Sequence, residues 1–148
     1  MKFANFLNKS IIAGVISTQI ELENWMHCQE PRDISYIASL ILLALHFEED
    51  SNKAGPARMA KHFGCSRGRI SQEITKLSKQ GLLKRNLSPS SARNVSLKLT
   101  SQGERVAADL VKKFSRLQNL LDKTIGEKQA ENITVKLNEL SIKLRSLK

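Results

Sequence analysis

The stretch "RMAKHFGCSRGRISQEITKLSKQGLLKR", Arg58 to Arg85, holds eight lysines or arginines against a single acid, Glu73. It divides at Gly64-Cys65-Ser66. Before the glycine lies a short helical pattern from Pro56 to His62 or Phe63, with Pro56 suited to a first helical turn, where no N–H is needed. After it, Ser66 is well typed as an N-cap. The helix that follows, Arg67 to Gln80, sets Ile70, Ile74 and Leu77 on one face at i, i+4 and i+7. Gly68, Gln72, Thr75 and Lys79 lie opposite, flanked by Arg69, Ser71 and Lys76. Gly81 ends the helix from a C′ position. Ala60 and Ile70 let two helices approach closely and lock together across the glycine turn.

Working outward, "LLKRNLS" (82–88) and "RNVSLKLT" (93–100) alternate and are rich in β-formers. "SPSSA" (Ser88–Ala92) reads as the turn between them, giving a small antiparallel hairpin. Upstream, residues 3–25 show a helical repeat through Phe3, Leu7, Ile11, Val15, Thr18, Leu22 and Trp25. It is interrupted by "QEPRD", because Pro31 cannot continue a helix. Asp33 is then the expected cap of a helix reaching about Phe47, apolar nearly all round from Leu40 to Leu45 and so buried on several sides. Downstream, Thr100 is typed to cap a long helix carrying Val106, Leu110, Phe114, Leu117, Leu121 and Ile125. Gly126 breaks it, and a last helix carries Ile133, Leu137, Leu140, Leu144 and Leu147. That last stripe is seam-like, equally suited to a second copy or to the helix 106–125.

Charge follows this organisation. The 148 residues carry a net charge of +10. Residues 1–53 hold four bases and seven acids, 54–105 eleven and two, and 106–148 nine and five, giving −3, +9 and +4. The middle third supplies nearly all the excess, and a merely solvated face usually mixes its signs. A polyanionic partner is the better reading. Apolar residues make up 41% of the chain, enough for a globular core and not a composition of disorder. Two cysteines, Cys28 and Cys65, make no disulfide framework and suit a reducing compartment. No secretory leader is evident, and the longest apolar run, Tyr36–Phe47, is well short of the roughly 20 residues of a membrane span. A cytoplasmic protein, with no membrane partner, is expected.

Helix, tight turn, helix and β-hairpin in that order make a winged helix-turn-helix. A plain helical hairpin would need neither an outward face loaded with Arg, Gln, Ser, Thr and Lys nor a basic strand pair beside it. From the same residues, "ARMAKHFGCSRGRISQEITKLSKQGLLKR" followed by "SARNVSLKLTSQG", the chain resembles the MarR family of bacterial transcriptional regulators. Leu77 to Arg85, Leu-x-x-x-Gly-Leu-Leu-x-Arg, resembles the end of that family's recognition helix and its first wing strand. Arg93 through Leu99-Thr100 to Gly103 resembles the second wing strand and the start of the next helix. One position departs: Ser91 stands where the family usually has an aspartate, two residues before the wing arginine. The resemblance implies a mainly α fold with a small β-wing, forming an intertwined homodimer through its terminal helices. On it, 1–148 is a single domain, 33–105 the winged helix-turn-helix core, and 1–30 with 106–148 the dimerisation helices.

The chemistry of the residues fits double-stranded DNA. A helix presenting Arg69, Ser71, Gln72, Thr75 and Lys76 can lie in a major groove, where Arg bonds guanine and Gln bonds adenine. Ser66 and Gly68 stand at an N-terminus that favours phosphate, and Gly68 lets the backbone come close. Arg67, Lys79, Lys84 and Lys98 are typed for phosphate contacts, which position without specifying. Arg93, beside the wing tip, is the candidate for the minor groove or the sugar–phosphate backbone. Two such helices about one DNA turn apart, roughly 34 Å, require a homodimer on an inverted repeat; repression is implied by resemblance alone. The resemblance also implies a pocket for an aromatic anion between the core and the dimer helices. Nothing in the sequence names that small-molecule effector.

His27, Cys28 and His46 are the candidates for a metal, but no i, i+4 ligand pair on one helix supports them, and no metal or cofactor is expected. Cys28 lies between Glu23 and Glu30, an acidic setting that disfavours a reactive thiolate. No nucleophile–base motif, phosphate loop or HExxH argues for an enzyme. Two alternatives share the fold: a plasmid or phage replication or partition protein, and a winged-helix module that binds other proteins.

Overall fold

The computed structural model describes residues 9–29, 34–48, 55–88 and 91–147; within the hairpin, residues 86–88 and 91–95 are described by their backbone. Among these residues the elements run in the order α1 (Ile11–Gln29), α2 (Tyr36–Phe47), α3 (Pro56–Phe63), α4 (Arg67–Lys79), β1 (Leu83–Ser88), β2 (Ser91–Leu99), α5 (Ser101–Ile125) and α6 (Glu127–Ser146). The expected mainly α fold with a β-wing is the one formed.

One core joins α2, α3, α4, the hairpin and the first turns of α5. Ile41, Leu42, Ile70 and Ala107 are fully buried, and Ile74, Leu77, Leu82 and Leu97 almost so. The all-round apolar character of α2 places it at the centre. Its cap is Ser35, whose Oγ accepts from the Ala38 N–H at 3.1 Å. The cap expected at Asp33 falls outside the described residues; Ser35 stands at the right distance for a third-residue N–H, and that spacing decides the cap. Helix α1 runs on to Gln29, four residues beyond the expected end, since nothing before Pro31 forbids it. Trp25 on α1 meets Phe114 on α5 edge-on, with centroids 6.1 Å apart.

The turn between α3 and α4 follows from glycine. Gly64 is left-handed at φ 68°, and the N–H of Cys65 reaches back to the Ala60 carbonyl at 3.1 Å. The same closure ends α4: Gly81 has φ 71°, its N–H bonds Ser78 O at 3.1 Å, and that of Leu82 bonds Leu77 O at 2.9 Å. The helix stops at Lys79 with Gln80 as C-cap. The hairpin is antiparallel, pairing Leu83 with Leu99, Lys84 with Lys98, Arg85 with Leu97 and Ser88 with Ser91. The second strand therefore starts at Ser91 rather than Arg93. A ladder is made by backbone groups, so serines serve, whereas Pro89, which has no N–H to give, falls between the strands.

Thr100 closes the hairpin at its base. Its hydroxyl donates to Gly81 O at 2.7 Å and accepts from the Gly103 N–H at 3.0 Å, while its own N–H bonds Leu82 O at 3.0 Å. Gly103 is packed directly on the Leu82 carbonyl, closer than any side chain would allow.

The terminal helices are different. No residue of α6 is buried, and Leu137, Ile142, Leu144 and Leu147 are 47%, 67%, 54% and 81% exposed. On α1, Ile12, Ile16 and Ile20, at i, i+4 and i+8, are each more than half exposed. Among the described residues, packing within one chain does not cover these stripes. Among the described residues, no helix is long and apolar enough to cross a membrane.

Candidate nucleic-acid interface

Helix α4 divides by burial as its sequence does. Ile70, Glu73, Ile74 and Leu77 are buried, while Arg67, Gly68, Arg69, Ser71, Gln72, Thr75, Lys76 and Lys79 are all exposed. Glu73, the one acid, is turned inward with its carboxylate 3.7 Å from Lys76 Nζ, so the outward face is left polar and cationic. Ser66 is the cap: its Oγ accepts from the Arg69 N–H at 3.2 Å. This spends the hydroxyl on the helix, and leaves the other first-turn N–H groups facing outward with the positive end of the helix dipole. Thirteen residues give a rod about 20 Å long, of a thickness that a major groove about 12 Å wide admits.

The hairpin lies beside this rod and adds two distinct features. On its outer side, Lys84 and Lys98 are exposed and directly paired across the strands. Like charges in that position repel, at a cost of order 0.2–1 kcal/mol, so nothing in the fold rewards them. On the inner side, register sets Arg85 among Leu83 and Leu97, both buried. Its guanidinium escapes sideways: Nη2 donates to Thr75 Oγ1 at 2.8 Å, and that hydroxyl donates in turn to Ser71 O at 2.8 Å. Arg85 is exposed and held on the outward face of α4. Sequence reasoning gave it no role, because alternation assigns it to the core side. Thr75 also changes character, since its hydroxyl already carries two bonds. The backbone of Arg93 lies in β2; its side chain, like that of Ser91, lies outside what is described.

The residues weighed for a metal do not converge. His27 and Cys28 are exposed at the end of α1, whereas His46, on α2, is bonded through Nδ1 to Glu104 of α5 at 2.9 Å. Among the described residues, no group of three His, Cys, Asp or Glu could hold a metal ion. Cys65 is half-buried against the core.

No protein-family model and no curated protein sequence matches the chain. Solved structures do. The MepR–DNA complex of S. aureus superposes with a TM-score of 0.78 over 94% of this chain and 97% of its own, at 16% identity. The transcriptional repressor CouR, bound to a 23-mer DNA duplex, gives 0.78 over 92% and 95%, at 22% identity. The PcaV transcriptional regulator of Streptomyces coelicolor, in complex with its natural ligand, gives 0.77 over 91% and 94%, at 18% identity. At such identities the likeness concerns the path of the backbone, matched over more than nine-tenths of each chain: this chain has the winged helix-turn-helix fold of these regulators.

Proposed function

We propose that the chain is a MarR-type transcriptional regulator, a repressor that reads an inverted repeat in double-stranded DNA as a homodimer. The observation that carries this is the one-sided construction of α4. Its single acid is turned inward and the outward face presents Arg67, Arg69, Gln72, Lys76 and Lys79 as donors, with Arg85 added to the same face by Thr75. Arg69, Gln72 and Lys76 read base edges in the major groove. Arg67, Lys79, Lys84 and Lys98 hold phosphates, which offsets the repulsion of the last pair, and Arg93 reaches the minor groove or backbone at the wing tip. The exposed isoleucines of α1 and leucines of α6 make the homodimer interface, since apolar stripes of this length on a soluble chain mark an association surface. Residues 33–105 form the reading core, with 1–30 and 106–148 as the dimerisation helices. MepR and CouR, whose backbones this chain shares, are seen on DNA, and PcaV is seen with a small molecule. A small-molecule effector that releases the DNA belongs to the same reading.

The test is binding to a fluorescent duplex of its own upstream region and to a selected-sequence pool, at several salt concentrations. A dimer with about eight phosphate contacts, four from each protomer, should lose affinity with a log–log slope of about −7. Arg69→Ala and Arg93→Ala should both weaken it, and the pool should enrich an inverted repeat. A pool that enriches nothing would leave the fold without this function.

A further inference from the structure

Helix α6, beyond its proposed place in the interface, makes a polar contact with the helix-turn-helix. Arg145, in its last turn, donates from Nη2 to the carbonyl oxygen of His62 at 2.9 Å, across 83 positions of sequence. His62 lies in the last turn of α3, where carbonyls have no further helical N–H to accept from and where a cation complements the helix dipole. Two residues on comes Gly64, the left-handed turn, and then Ser66, the cap of α4. The guanidinium therefore grips the chain just before the point at which the direction of α4 is set. Around this grip the packing is open. A cavity of about 430 Å³ separates Leu137, Leu140 and Leu144 of α6 from Phe63 and Gly64, with Val15 of α1 along its side. The buried core fixes the first turns of α5 to the helix-turn-helix without help; for α6, which lies across a cavity, the directed bond does so.

We propose that Arg145 is a positioning residue, which fixes the helix-turn-helix against the dimerisation helices and so sets the separation of the two α4 helices in the homodimer. This rests on the dimeric, DNA-reading function above. In that assembly α6 belongs to the interface and α4 to the DNA, and the Arg145–His62 bond couples one to the other. Without it, α6 and the part of the interface it carries shift against the reading head about the cavity, and the dimer loses its preference for one half-site spacing.

The experiment uses the full chain with a nitroxide at Gln80→Cys, at the exposed end of α4, in a Cys28→Ser, Cys65→Ala background checked for unchanged melting. Pulsed dipolar spectroscopy should give one narrow distance between the two labels. Arg145→Ala should broaden it, and Arg145→Lys, which keeps a donor, should restore much of the narrowness. On unlabelled protein, affinity for inverted repeats with half-sites moved by one or two base pairs should be sharply peaked. Arg145→Ala should lower the peak about three- to tenfold, as expected for an exposed charge-assisted hydrogen bond, while barely altering the other spacings. An unchanged distance distribution, or a uniform loss at all spacings, would overturn the proposal, the second being ordinary loss of a charge. Should Arg145→Ala fail to fold, Arg145→Gln carries the same comparison. If no duplex binds but the label distance broadens as stated, the positioning role stands and the DNA reading falls. A monomeric wild type overturns both.

Discussion

Replacing Gly68 by alanine should move stability and DNA affinity in opposite directions. Gly68 is the second residue of α4 and is exposed; an added Cβ would meet only Ser66 Oγ, at 3.9 Å. The folded chain thus accommodates the methyl without strain, and alanine is the better helix former by about 0.8–1 kcal/mol in a helix interior. In the first turn about half of that is realised, roughly 0.5 kcal/mol, which for a chain of this size raises the melting temperature by about 1–2 °C. In the proposed DNA complex the same methyl would stand between the first-turn N–H groups and a phosphate. Loss of one charge-assisted hydrogen bond costs about 1.5–3 kcal/mol, a fall of roughly 10- to 150-fold in affinity. Thermal melting followed by circular dichroism, with fluorescence anisotropy on the selected duplex, reads both quantities from one preparation. Raised melting with unchanged affinity would refute the placement of the α4 N-terminus against the backbone of the DNA. Lowered melting would refute the reading of Gly68 as unconstrained by the fold.

Gly103→Ala should be the opposite case: its Cβ would drive into the Leu82 carbonyl, and forcing that backbone outward, with loss of the Thr100 N–H bond, should cost about 3 kcal/mol or more, seen as a melting temperature lower by about 10 °C. Lys98→Glu should turn a repelling cross-strand pair into an attracting one, stabilising the hairpin by a few tenths of a kcal/mol; it should nevertheless weaken DNA binding severalfold and reduce the salt slope of the dimer by about 2, one for each protomer. Leu137→Asp with Leu144→Asp should give a monomer by sedimentation with the circular dichroism of the helix-turn-helix intact, because neither side chain contributes to the buried core.

The sequence made the reading core legible because its signals are local. Ser66, Gly81 and the 70–74–77 spacing define α4 without any knowledge of the rest, and Thr100 defines the start of α5. What escaped depends on neighbours that are distant in sequence. Arg85 occupies a core-side register position, and only the arrival of Thr75 beside it turns the guanidinium outward. The bond from Arg145 to His62 has no trace in periodicity at all. The α6 leucines could be read as a stripe but not assigned, since packing on a helix of the same chain and packing on a second copy ask for the same residues. Their exposure in the folded chain is what separates the two. The wing tip was misjudged because serines are poor strand formers by composition, while the ladder they join is made by the backbone.

Thr100, through its N–H on Leu82 and its hydroxyl on Gly81, pins the two ends of the hairpin together, so everything between those residues hangs from a closed neck. Lengthening or rewriting the tip then changes what the wing touches without disturbing the helix before it or the helix after it. The loop can drift quickly, by insertion as well as by substitution, while the scaffold that presents it stays unaltered. For an engineer, the tip is a cassette: new residues grafted between Ser88 and Ser91 inherit a fixed mounting. For evolution, it is an inexpensive place to acquire a new binding preference.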